Sequence, residues 1–103
     1  MKGVIPRPQA EYDFDDALSY YANENSAIAM DFLRDVHNAY SRISEMPGIG
    51  SPRFQRTLDV DDLRAYSLHT FPYIIFYIDR EKHIDVVRVL HSHRDILTLF
   101  LQQ

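Results

Sequence analysis

The chain has no cysteine. That absence excludes a disulfide framework, a zinc–thiolate site and a cysteine nucleophile together. There is no long apolar run either. The most hydrophobic stretch, Tyr73 to Ile78, is far too short to cross a bilayer. The start, Met1-Lys2-Gly3-Val4-Ile5-Pro6, has no apolar core of a secretory signal, so a soluble cytoplasmic protein is expected. Repeats and low-complexity tracts are missing as well. Lysine is scarce: nine of the 11 basic residues are Arg, the side chain suited to flat, forked contacts with carboxylates or phosphates.

What is present suits one domain spanning 1–103, with 46% hydrophobic residues supplying a core without metal or disulfide staples. No metal or cofactor is expected. Net charge is −4, and it is uneven: residues 1–50 carry eight acids and four bases, residues 51–103 seven of each. This balance disfavours bulk, salt-driven nucleic-acid binding and favours a protein partner, with any basic patch in the C-terminal half.

Lys2 to Ile5 reads as a short strand stopped by Pro6 and Pro8. Pro8 fits the first turn of a helix. Ala10, Phe14, Ala17, Leu18 and Tyr21 then form one apolar helical stripe, and Glu11, Asp13, Asp15 and Asp16 complement the positive end of the helix dipole. Asn23-Glu24-Asn25 breaks the pattern. Ser26 is the expected N-cap of a second helix, with Ala29, Phe32, Leu33, Val36, Tyr40 and Ile43 on its apolar stripe and Pro47-Gly48 as its stop. Gly50 to Asp62 reads as an irregular loop. Strands are expected at Leu63–Leu68, Tyr73–Ile78 and Ile84–Leu90, the last two forming a hairpin around the charged turn Asp79-Arg80-Glu81-Lys82. Ser92 with Asp95 matches a capping box for a short C-terminal helix bearing Ile96, Leu97, Leu99, Phe100 and Leu101. The order β-α-α-β-β-β-α predicts an α+β fold, an N-terminal helical hairpin on one face of a small antiparallel sheet.

The most informative stretch is Val86 to Asp95, a strand that delivers His91, His93, Arg94 and Asp95 to its own end. Each residue has a plain structural reading beside a functional one. Asp95 suits the capping box. His91 suits a hydrogen-bonded strand end. Arg88, alternating with Val87 and Val89, is either paired with a helix acid or a surface contact. Arg94, in the first helical turn, gains nothing from the dipole, which favours an ion pair or a functional role. His37 and His83 read as solvated surface, and Tyr73 to Tyr77 as core and sheet face, one side of which could meet a partner peptide.

Taken together, Pro8-Gln9-Ala10-Glu11-Tyr12-Asp13-Phe14, Ala29-x-x-Phe32, Met46-Pro47-Gly48-Ile49-Gly50, Leu63-Arg64, Phe71-Pro72-Tyr73-Ile74-Ile75-Phe76-Tyr77 and Val87-Arg88-Val89-Leu90-His91 with Arg94-Asp95 lie in the order of a ParE toxin. From Arg7 to Phe100 the chain resembles that branch of the RelE/ParE superfamily. It departs at Arg7, where relatives often carry a helix-capping Ser. The resemblance implies a type II toxin–antitoxin protein without enzymatic activity. It would bind and poison DNA gyrase and be neutralised by a cognate ParD-like antitoxin in a hetero-oligomer. It implies no membrane partner and no sequence-specific nucleic-acid binding. Arg64, Arg88, His91, Arg94, Leu97 and Phe100 are the candidates for contact with the target. Tyr73, Ile75, Tyr77 and Arg88 are the candidates for contact with the antitoxin. RelE-branch relatives instead cut messenger RNA on the ribosome, an alternative for which His91, His93, Arg94, Arg88 and Arg64 could be drafted.

Overall fold

The computed structural model describes residues 1–102. The chain forms β1 (Gly3–Pro6), α1 (Pro8–Glu24), α2 (Ser26–Glu45), a 3-10 turn (Pro47–Ile49), α3 (Gln55–Leu58), β2 (Leu63–Ser67), β3 (Tyr73–Asp79), β4 (His83–His91) and α4 (Ile96–Leu101). The strands make one sheet in the order β1-β4-β3-β2. β2–β3 and β3–β4 are antiparallel, whereas β1 lies parallel to β4, with Gly3 opposite His83 and Pro6 opposite Val86. The sheet is therefore mixed rather than purely antiparallel. A parallel neighbour needs a long crossover, and here the helical hairpin and two strands separate the pair.

The apolar stripes of α1 and α2 pack on one sheet face. Ala10, Ala17, Ala29 and Ala39 are buried there, and such small side chains let the helix axes approach closely. Phe32 is fully buried at the centre, its ring 5.8 Å from Phe14, 5.2 Å from Tyr21 and 5.3 Å from both Phe71 and Tyr73. The other face is not left to solvent. Leu63, Ala65, Ile74, Phe76, Ile78 and Leu90 point to it, and Phe54, Ile96, Leu99 and Phe100 cover them. Helices thus lie on both faces, because the central strands are apolar on both.

Local details depart from the sequence expectation. Asn25, not Ser26, caps α2, its side chain accepting from the Ala27 amide at 2.7 Å. The stretch from Gly50 to Asp62 is not all irregular: it contains α3, closed by Asp59 in the left-handed region at φ 55°. The capping box at Ser92 does not form. Asp95 itself caps α4, accepting from the Thr98 amide at 3.2 Å and its hydroxyl at 2.8 Å. A bulge interrupts β4, where Phe76 faces Arg88 but Tyr77 faces Val86. The extra residue breaks the simple alternation, so that Val87 packs on the α4 side and Val89 on the α1–α2 side.

Candidate functional site

β1 stops at Pro6, so β4 loses its outer neighbour beyond Val86. An open strand edge presents unpaired main-chain groups. Helix α1 closes the first of them: the Asp13 carboxylate accepts from the Val89 amide at 3.0 Å. The same carboxylate takes Arg88 in a forked contact, Nε at 2.7 Å and Nη2 at 2.9 Å. Arg88 Nη1 donates to the main-chain carbonyls of Leu99, Phe100 and Gln102. Arg88 is 5% exposed and is thus an internal tie between α1, β4 and α4, not a surface arginine.

Past this tie, a groove of about 730 Å³ runs between α1 and the end of β4, with Tyr20, Tyr21, Tyr73, His91 and Arg94 among its lining. Tyr73 lies opposite His91 on neighbouring strands, the rings 5.1 Å apart and edge-to-face. His91 Nδ1 accepts from the His93 amide at 3.1 Å, and the His91 carbonyl accepts from the Arg94 amide at 3.2 Å. With Nδ1 acting as acceptor, the neutral ring carries its proton on Nε2. Partial burial, then the neighbouring Arg94 and His93, hold the His91 imidazole below its ordinary value of 6.5. Burial, with Tyr21 beside it, pushes the Tyr73 phenol up to about 12. Arg94 precedes α4 rather than lying in its first turn, and both Arg94 and His93 are exposed.

The remaining candidates do not converge on this corner. Arg64 sits opposite Tyr77 on β2, four residues along β3 and two strands across from His91, roughly 16 Å away. Its Nη1 donates to the carbonyls of Gly48 and Gly50. The Tyr77 hydroxyl accepts from the Gly50 amide at 2.9 Å and donates to the Pro47 carbonyl at 2.7 Å, so both side chains hold the Pro47–Gly50 turn. Ile75 and Tyr77 are fully buried beneath the helical hairpin. Leu97 and Phe100 lie on α4, across the sheet. Leu97 is exposed, while the Phe100 ring packs edge-on to Phe76 at 5.5 Å. Among the described residues no group of three or more His, Asp or Glu side chains is arranged to hold a metal.

Two acids organise this region: Asp13, which the sequence suggests only as a complement to the helix dipole, and Asp35, which no motif singles out. Asp13 falls three residues after Ala10 and four before Ala17, on the buried stripe of α1. Asp35 falls likewise between Phe32 and Ala39 on α2, is buried, and accepts from the Thr70 and Phe71 amides at 2.9 and 3.0 Å. An acid inside an apolar stripe was the available signal, because a buried carboxylate requires donors.

A model of the ParE toxin of the type II toxin–antitoxin system parDE matches residues 4–96. The chain belongs to the ParE toxin family. Among solved structures, one described as the chromosomal ParDE TA system from P. aeruginosa is similar at TM-score 0.73 and 17% identity, covering 90% of this chain and 98% of that one. At that identity the likeness shows a shared ParE fold. No curated protein matches the chain significantly. Among the described residues of this ParE-family chain, no helix is long and apolar enough to cross a membrane. The Arg7 departure also has its structural account here: Arg7 Nε and Nη2 donate to Asp85 at 3.0 and 2.9 Å, tying the start of α1 to β4 by an ion pair in place of a hydroxyl cap.

Proposed function

We propose that this ParE-family toxin arrests growth by binding DNA gyrase and holding it with its DNA cut, and that a cognate ParD-like antitoxin neutralises it. The family match supports the class of protein. The observation that carries the binding mechanism over RNA cleavage is that two of the five groups an endonuclease would use, Arg88 and Arg64, are withdrawn from the corner where His91, His93 and Arg94 lie. Cleavage needs a base, an acid and a stabiliser of the phosphorane within reach of one phosphate. Arg88 is consumed by Asp13 and the α4 carbonyls, and Arg64 is held on the Pro47–Gly50 turn at the far end of the sheet. The corner of half-buried His91 with exposed His93 and Arg94, and Leu97 on the other face, suits an interface that uses a few anchors and no bond-breaking.

Purified protein added to gyrase in stoichiometric excess is expected to block supercoiling and to accumulate linear DNA, and preincubation with the antitoxin should restore activity. A translating extract should show no ribosome-dependent mRNA cuts. Unimpeded supercoiling together with codon-phased cuts that vanish in His91→Ala or Arg94→Ala would replace this reading with the RelE-like one.

A further inference from the structure

The open edge of β4 carries two outward main-chain amides, and among the described residues only one is satisfied. Val89 N–H is taken by Asp13. In an antiparallel pair the main-chain groups of residues two apart point the same way. His91 therefore also turns outward, as the bond from the Arg94 amide to the His91 carbonyl shows. On the facing strand, Tyr73 directs its carbonyl to Leu68 and its amide to Phe71, away from β4. This leaves the His91 amide without a partner among the described residues, in the groove where Arg94 also lies.

The chain has already solved the same problem once. At Val89, an edge amide and the guanidinium of Arg88 together hold one carboxylate, that of Asp13. At His91, an edge amide and the exposed Arg94 offer the same pair of donors, with an imidazole that keeps its Nε2 proton beside them, and no acid is in place among the described residues. Asp95, next in sequence, is turned away onto Thr98. Among the described residues neither Asp16, on the α1 wall of the groove, nor Arg94 makes an ion pair. Tyr20, Tyr21 and Tyr73 line the same groove, in which these donors form a notch.

We propose that this notch binds the carboxylate of an Asp or Glu side chain on an extended segment of the antitoxin. The choice of carboxylate follows from the internal precedent, where an amide and a guanidinium match the two oxygens of one planar group. This inference rests on the reading that an antitoxin covers the toxin. It places the covering segment on the corner that would otherwise face the target.

The first test uses free toxin and acetyl-Ala-Glu-Ala-amide, followed by amide NMR. The His91 amide resonance should move saturably. The Gln counterpart peptide should bind at least about tenfold more weakly, as should the Glu peptide with Arg94→Ala, while Arg56→Ala on α3 should bind it normally. Equal binding of the Gln peptide, or a silent His91 amide, would overturn the notch. Inorganic phosphate competing more tightly than the Glu peptide would reassign the donors to a nucleic-acid backbone and also overturn it. The second test uses the intact toxin–antitoxin complex. Arg94→Glu should weaken it at least about tenfold, and unchanged affinity would overturn the antitoxin as occupant. Neither readout involves gyrase, so a failure of the gyrase reading would show separately in the supercoiling assay.

Discussion

A guanidinium removed from water must find acceptors for its donors, and Arg88 finds them in α1 and α4 while its own amide neighbour shares the same acid. Breaking one side of a buried, forked pair strands the other charge. Arg88→Ala is therefore expected to cost about 3–5 kcal/mol, a large share of a small domain's stability. The double variant Asp13→Asn, Arg88→Met should cost less than Arg88→Ala alone, and urea unfolding of both would decide. His91 sets a pH dependence of definite sign. Its folded value lies below 6.5, so the unfolded chain binds the proton more readily. The contribution is fully present above pH 6.5 and is lost as pH falls through the folded value. His91→Asn, which keeps an acceptor for the His93 amide, should flatten the fall in urea midpoint between about pH 7 and 5. A His91 titration by NMR with a midpoint above 6.5 would refute the assignment. Which residues matter was half legible at this scale. Arg88 and His91 stood out by type and place, but whether Arg88 faced water or Asp13 depended on a bulge and a helix about seventy residues upstream.

At the scale of elements, the turn after α2 shows how a short motif acts through a distant strand. A methyl group on Gly50 would lie 2.7 Å from the Tyr77 hydroxyl oxygen and 2.9 Å from the Arg64 Cβ. Neither neighbour can give freely, since the Tyr77 hydroxyl is held by the turn and Cβ belongs to the β2 backbone frame. Gly50→Ala should destabilise by about 1–3 kcal/mol through overpacking, measurable as a lowered denaturation midpoint with the fold retained by circular dichroism. The helices and the three antiparallel strands follow from periodicity and β-branched content, which are local properties. α3 does not, because a helix of four residues makes barely one turn, too little for a periodicity to show. The cap of α4 fell three residues later than the capping-box pattern suggested. The main chain of Ser92 is still engaged with the sheet, its amide donating to the Pro72 carbonyl at 2.8 Å.

For the whole molecule, the sheet divides the candidate contacts into two surfaces: His91 and Arg94 at the groove end on the α1 side, Leu97 and Phe100 on α4 behind it. Arg94 is exposed, so Arg94→Ala should leave stability within about 0.5 kcal/mol and weaken gyrase inhibition by tenfold or more. Arg64→Ala should do the reverse, lowering stability through the freed Pro47–Gly50 turn while inhibition per folded molecule stays near normal. Melting curves paired with supercoiling titrations would separate the two. Sequence by itself determined the family, the order of elements and the apolar faces, because these rest on motif order and local periodicity. Only the tertiary structure decided that β1 runs parallel to β4, that Asp13 seals one edge amide and leaves the next bare among the described residues, and that Arg64 and Arg88 are spent on contacts within the fold. Those outcomes depend on which distant groups meet, and burial then compels each charge to pair with whatever the fold brings beside it.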